Sequence, residues 1–200
     1  MRVIGAMLVA AVAAFSGCGG CGADLSGPAK EIVSENIERD GDVWRVSFVS
    51  TFAAPVDKVY EAYRYPERGQ ELAPDRVLKA EVVSEEGNKK VVDIVGRLDI
   101  LPPGFKVQNL RNEYTFYPDE KRITSRTIDF NLADIESEYR FESTPEGSTV
   151  LRFSQTSKDK APLVVESLQK GALRETYITQ VRIVNKALGI ESEGAPDTQG

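Results

Sequence analysis

From Val43 to Phe52 apolar and polar residues alternate: Trp44, Val46, Phe48 and Phe52 share one face, and Arg45, Ser47 and Thr51 share the other. A repeat of two puts successive side chains on opposite sides of an extended chain, so this run predicts a half-buried strand. Ala54-Pro55 breaks it. Val56, Val59, Tyr60 and Tyr63 then fall at helical spacing until Pro66 stops the pattern, which predicts a short helix and a second over 68–72.

Beyond Pro74 the repeat returns to two. Strands are predicted over 77–84, 90–98, 107–117, 122–130, 135–142 and 149–156. Turn residues separate them at Glu86-Gly87-Asn88, Pro118-Asp119-Glu120 and Thr144 to Gly147, and such short turns imply an antiparallel meander. The last element changes period: from Pro162 onward Leu173, Tyr177, Val181, Val184 and Leu188 mark one face of a long amphipathic helix ended by Gly189. The expected class is therefore α+β, a curved antiparallel sheet of about seven strands wrapped on a long C-terminal helix, the element long enough to cover one sheet face.

Ala54-Pro55-Val56-Asp57-Lys58-Val59-Tyr60, followed by Tyr65-Pro66-Glu67, resembles the opening of START-like (SRPBCC) proteins. The superfamily includes polyketide cyclases, birch-pollen allergen relatives and lipid-transfer domains. The run Glu146-Gly147-Ser148-Thr149-Val150-Leu151 and the terminal helix are similar to its closing elements. The resemblance implies a helix-grip fold with an apolar ligand cavity, and leaves the ligand open.

If the apolar members of each strand point inward, a ligand would meet Trp44, Phe48, Leu110, Tyr114, Ile128, Tyr139, Phe141 and Phe153, with Tyr177 facing them from the helix. Asn112, Arg126, Ser137 and Gln155 are polar residues in register with that face. An inward Arg126 would need a partner or a bound anion, and could hold a carboxylate or phosphate; otherwise the strand is offset and Arg126 reaches solvent and a surface acid. The loop Ile100-Leu101-Pro102-Pro103-Gly104-Phe105 is too apolar for an ordinary solvated connection. Leu101 and Phe105 are expected to cover the cavity mouth, to enter a membrane or partner, or to dock on the core as a rigid connector.

Enzymatic relatives place acids, His or Tyr in the cavity for proton transfer. This chain has no His. Asp93, Glu113, Asp129, Glu136 and Glu138 fall in the outward phase of their strands, leaving Tyr114 and Tyr139 without an evident base. Binding or carriage of a hydrophobic small molecule, lipid-like or polyketide-like, is thus expected ahead of catalysis. The alternatives are a cyclase or dehydratase, and a protein-interaction module with a collapsed cavity. No catalytic residue, cofactor or metal site is assigned.

Composition narrows the partners. The net charge is -6, and the basic residues are scattered, which argues against nucleic acid. The two cysteines, Cys18 and Cys21, both lie near the N-terminus, where Arg2, an apolar stretch from Val3 to Phe15 and a small-residue cluster have the layout of an export signal. The apolar stretch holds about a dozen residues against about 20 for a membrane-spanning helix. Phe15-Ser16-Gly17-Cys18 resembles a bacterial lipobox, in which the cysteine is lipidated and becomes the new N-terminus; cleavage after Ala13 with simple secretion is the alternative. The organisation expected is a lipoprotein signal peptide over 1–17, a linker and N-terminal extension over 18–42, the START-like domain over 43–189 and a disordered tail over 190–200. The protein would then be exported and membrane-anchored through Cys18, at the periplasmic face or cell surface.

Overall fold

The computed structural model describes residues 30–99, 107–160 and 166–190. Leu101, Phe105 and Cys18, singled out above, lie outside the described residues. In chain order the elements are β1 (Lys30–Asp40), β2 (Val43–Phe52), α1 (Val56–Tyr63), a single helical turn over Pro66–Arg68, α2 (Gly69–Leu72), β3 (Val77–Glu86), β4 (Lys89–Arg97), β5 (Val107–Tyr117), β6 (Arg122–Asp129), β7 (Ala133–Ser143), β8 (Thr149–Asp159) and α3 (Glu166–Leu188).

All strands join one curved antiparallel sheet in the order β1-β2-β8-β7-β6-β5-β4-β3, the helix-grip architecture. Among the described residues there are eight strands where the sequence pattern predicts about seven, and the additional one, β1, occupies part of the segment assigned to linker and extension. Its apolar residues do not alternate cleanly. It is held as an edge by its ladder to β2 and by Ile32 and Ile37, which pack partly buried against the core. Gly41 and Asp42 form the two-residue connection to β2, and Gly41 takes φ +63°, the left-handed conformation such a turn requires.

Cross-strand register explains where the core is solid and where it opens. One row of inward residues runs from Phe48 to Phe153, Tyr139, Ile123 and Phe116, each opposite the next on neighbouring strands. Tyr177 of α3 stacks on Phe48 with ring centroids 4.3 Å apart, and its hydroxyl lies 2.6 Å from Ser50 Oγ. Toward the other ends of these strands, the adjacent inward row is Val46, Gln155, Ser137, Ser125 and Tyr114. Ser137 and Ser125 stand there in line with Tyr139 and Ile123 of the first row. Side chains this small do not reach the helix, and the core hollows beneath α3.

The aromatic row is closed from its other side by α1. Val59 and Tyr60 are buried there, and Tyr63 packs against Phe141 and Tyr139 at 5.1 and 5.6 Å. On α3 the buried positions Tyr177, Val181 and Val184 follow the predicted face. The helix ends in a Schellman motif: Gly189 N–H bonds the Lys186 carbonyl, Ile190 N–H bonds the Asn185 carbonyl, and Gly189 has φ +67°. The opposite face of the sheet carries cross-strand ion pairs, among them Arg111–Asp93, Arg126–Glu113 and Arg152–Glu142.

Candidate functional site

Between α3 and the inner face of the sheet, from β4 to β8 and on to β2, lies a cavity of about 330 Å³. That is near the lower end of the range in which ligand pockets fall, roughly 300–1,000 Å³. Apolar side chains make most of its wall. Phe48, Leu110 and Phe153 contribute from the sheet, and Leu173, Tyr177 and Ile183 face them from the helix.

Tyr114, Tyr139 and Asn112 also line the cavity, as do Ser137 and Gln155. The Asn112 amide donates through Nδ2 to the Tyr114 hydroxyl at 3.3 Å, while its Oδ1 is buried without a partner. Tyr139 donates to Gln180 Oε1 at 3.1 Å across the sheet–helix interface. Ser137 Oγ and Gln155 Oε1 are 3.4 Å apart, a long contact. Burial pushes Tyr114 and Tyr139 above their ordinary range; the Asn112 contact offsets part of this at Tyr114, and the Gln180 contact part at Tyr139. Neither phenol ionises near neutral pH.

Four of the residues assigned to the lining from sequence do not line the cavity. Arg126 points to the opposite face of the sheet, with 59 % of its side chain exposed, and forms an ion pair with Glu113 at 2.9 Å. Ile128 is 47 % exposed. Alternation from the buried Ile123 turns it outward, and the register of β5 on β6 then steps from Thr127 opposite Asn112 to Asp129 opposite Arg111, so Ile128 is the extra residue of a β-bulge. The inward phase of β6 runs through Ile123, Ser125 and Thr127. Phe141 faces inward but lies beneath α1, against Tyr60 and Tyr63. Trp44 is fully buried at the far end of β2, where its Nε1–H donates to Asp159 at 3.1 Å and Arg39 lies over its ring.

The sequence reading missed Ser125 and Thr127 of β6 and Gln180 and Ile183 of α3. Strict alternation counted from Ile123 rather than from Ile128 finds the first two. The helix pair follows from counting beyond the strongest apolar positions of α3.

The charged residues of the wall are already engaged. Asp159 accepts from Trp44 and from Gln169 Nε2 at 2.9 and 3.0 Å. Arg76 is held by Glu175 at 2.6 Å and Asp99 at 3.1 Å, and Arg97 lies 3.8 Å from Asp99. Of the acids expected to point outward, Asp93 is bidentate with Arg111, which holds its carboxyl below the usual range, and Glu138 pairs with Arg122 and Arg140. Among the described residues no His, Cys, Asp and Glu cluster is arranged to hold a metal ion. None of the described helices is long and apolar enough to cross a membrane.

A cavity enclosed between a long C-terminal helix and a curved antiparallel sheet defines the START-like class. The chain belongs to the family described as polyketide cyclase / dehydrase and lipid transport, whose family model matches residues 43–177. Among solved structures it is similar to the Zhui aromatase/cyclase from Streptomyces sp. R1128, with 14% identity, a TM-score of 0.62, and coverage of 77% of this chain and 99% of that one. A START superfamily protein from Mycobacterium smegmatis matches at 13% identity and TM-score 0.59, over 72% of this chain and 97% of its own. A major latex-like protein from Panax ginseng matches at 11% identity and TM-score 0.56, over 73% and 99%. At such identities the likeness is one of fold. No curated protein matches the sequence.

Proposed function

We propose that this protein binds and carries a hydrophobic small molecule in the cavity beneath α3. The observation that carries the reading is a hollow of about 330 Å³, walled mainly by apolar side chains and crossed by a strip of neutral polar groups. Burial of apolar ligand surface supplies affinity, at roughly 25 cal/mol per Å² before the costs of ordering are subtracted. The polar strip orients the ligand. Proton transfer would ask more of the wall than it offers: the carboxylate of Asp159 already accepts from Trp44 and Gln169, and the cavity tyrosines Tyr114, Tyr139 and Tyr177 are weak acids.

The test is to purify the protein in native buffer, extract the bound material and analyse it by lipid mass spectrometry, with uptake of fluorescent fatty acids and sterols measured in parallel. A co-purifying hydrophobic compound in near-stoichiometric amount is the expected result. Neither co-purification nor uptake of any probe would overturn the proposal.

The same proposal includes a membrane tether through Cys18, which the lipobox-like Phe15-Ser16-Gly17-Cys18 supports. Lipidation there holds the domain at the periplasmic face or cell surface, within a spacer's reach of the bilayer from which a ligand would come. Cys18→Ser is expected to leave ligand binding intact and to move the protein from the membrane to the soluble fraction. Unchanged membrane association would remove the tether from the reading and leave the cavity untouched.

A further inference from the structure

Resting on the carrier reading above, we infer that Ser125 and Ser137 are the specificity-determining residues of the cavity. The apolar body of the ligand seats on them, and the bulk of these two side chains, rather than their hydroxyls, sets the size of ligand accepted. Three observations lead there. The first is position. Ser125 and Ser137 stand directly opposite each other on β6 and β7, the central pair of the sheet, and both line the cavity. Gln155 of β8 continues the row beside Ser137, and Tyr114 of β5 continues it beside Ser125. Leu173, Thr176 and Gln180 of α3 form the facing wall.

The second is size. On the same strands and the same face, the next inward residues are Ile123 and Tyr139, both buried. There sheet and helix meet through rings, Tyr139 packing on Phe153 at 4.9 Å and Phe153 on Tyr177 of α3 at 5.1 Å. Ser125 and Ser137 carry only a hydroxyl beyond Cβ, and they are half-buried where that row is buried. A larger side chain at either position would stand in the hollow itself, since the packed row beside it has no room to give. The third is what the hydroxyls already do. Ser137 Oγ is directed at Gln155 Oε1, 3.4 Å away, and the Ser125 hydroxyl contacts the Tyr139 phenol. Both serve polar groups of the protein, and what these two residues offer a ligand is space.

The test uses two neutral fluorescent probes that differ by one ring, 1-aminonaphthalene and 1-aminoanthracene, titrated into the purified full-length protein at neutral pH, with Tm recorded for every variant. The wild type is expected to bind the three-ring probe several-fold more tightly, because it buries more apolar surface. Ser137→Leu and Ser125→Leu are each expected to weaken 1-aminoanthracene at least about tenfold, the equivalent of roughly 55 Å² of apolar ligand surface left uncovered. The same variants should change 1-aminonaphthalene by less than about threefold, so that the preference for the larger probe is lost. Their Tm should hold or rise, since the added side chain fills empty space. Ser137→Ala and Ser125→Ala remove the hydroxyls, keep the space, and are expected to leave both affinities unchanged. If a leucine variant does not fold, the valine variant at the same position replaces it, with the same loss of preference. Leucine variants that prefer 1-aminoanthracene as strongly as the wild type, or alanine variants that lose that preference, would overturn this inference while leaving the carrier reading standing. A wild type that binds neither probe would sink both.

Discussion

The contact between Tyr177 and Ser50 allows a quantitative test of how α3 is fastened over the cavity. Ser50 Oγ donates its single proton to the main-chain carbonyl of Glu31 in β1, so the Tyr177 hydroxyl, 2.6 Å away, must be the donor to Ser50. Tyr177→Phe therefore leaves only an acceptor lone pair unfilled and is expected to cost about 1 kcal/mol, a net hydrogen bond. For a chain of this size that lowers Tm by roughly 2–4 °C. Ser50→Ala does more damage, because it strands both the buried Tyr177 hydroxyl and the Glu31 carbonyl, at about 1–3 kcal/mol for an unsatisfied group. Adding Tyr177→Phe to Ser50→Ala then removes the stranded hydroxyl and should cost almost nothing. Tyr177→Ala, which also deletes the ring stacked on Phe48 and packed on Phe153, is expected to cost about 3–5 kcal/mol. Urea denaturation followed by Trp44 fluorescence measures all four. If Tyr177→Phe costs as much on the Ser50→Ala background as in the wild type, the two hydroxyls are uncoupled and this account of how helix, β2 and β1 are joined is refuted.

Burial raises the pKa of Tyr63, Tyr114, Tyr139 and Tyr177 above the ordinary phenol value near 10. A group whose pKa is higher in the folded state stabilises fully below its unfolded pKa, and that contribution is lost as pH rises through the folded value. Stability should therefore hold up to about pH 10 and fall above it, with phenolate absorbance from these four tyrosines appearing together with unfolding; their titration in protein that is still folded would contradict the packing described. Arg126→Ala is expected to change ligand uptake not at all and stability by less than about 0.5 kcal/mol, since a half-exposed surface ion pair is worth little. A marked loss of binding in the probe titrations would place Arg126 at the cavity after all.

Much of the architecture was legible in the chain. Alternation at Trp44, Val46 and Phe48 marked β2, the return to period two after Pro74 marked the meander, and the recurrence of Tyr177, Val181 and Val184 marked the long helix that covers it. β1 was less legible because an edge strand with one hydrogen-bonding neighbour can form without a continuous apolar face. The cavity was legible in kind, as the consequence of a helix laid across a curved sheet. Its lining was harder to assign where single residues carried the decision. Ile128 is the larger and more apolar choice for an inward position on β6, yet alternation from the buried Ile123 leaves Ser125 and Thr127 facing the hollow and Ile128, the extra residue of the bulge, outside. Phe141 has the right phase but the wrong neighbour, since α1 rather than α3 lies above it.

The division follows from the range of the forces involved. Strand and helix periods, turn residues and the lipobox-like tetrapeptide at Cys18 are local patterns, and the sequence by itself determined the order of elements from β2 onward and the class of fold. Which inward residues meet a ligand depends on cross-strand register and on which helix covers which row, distances set by residues far apart in the chain. Only the tertiary structure decided that the aromatic row would be solid and the serine row hollow. Only it decided that Arg126 would spend its charge on Glu113 outside, and that Asn112 would be left with an unpartnered carbonyl inside.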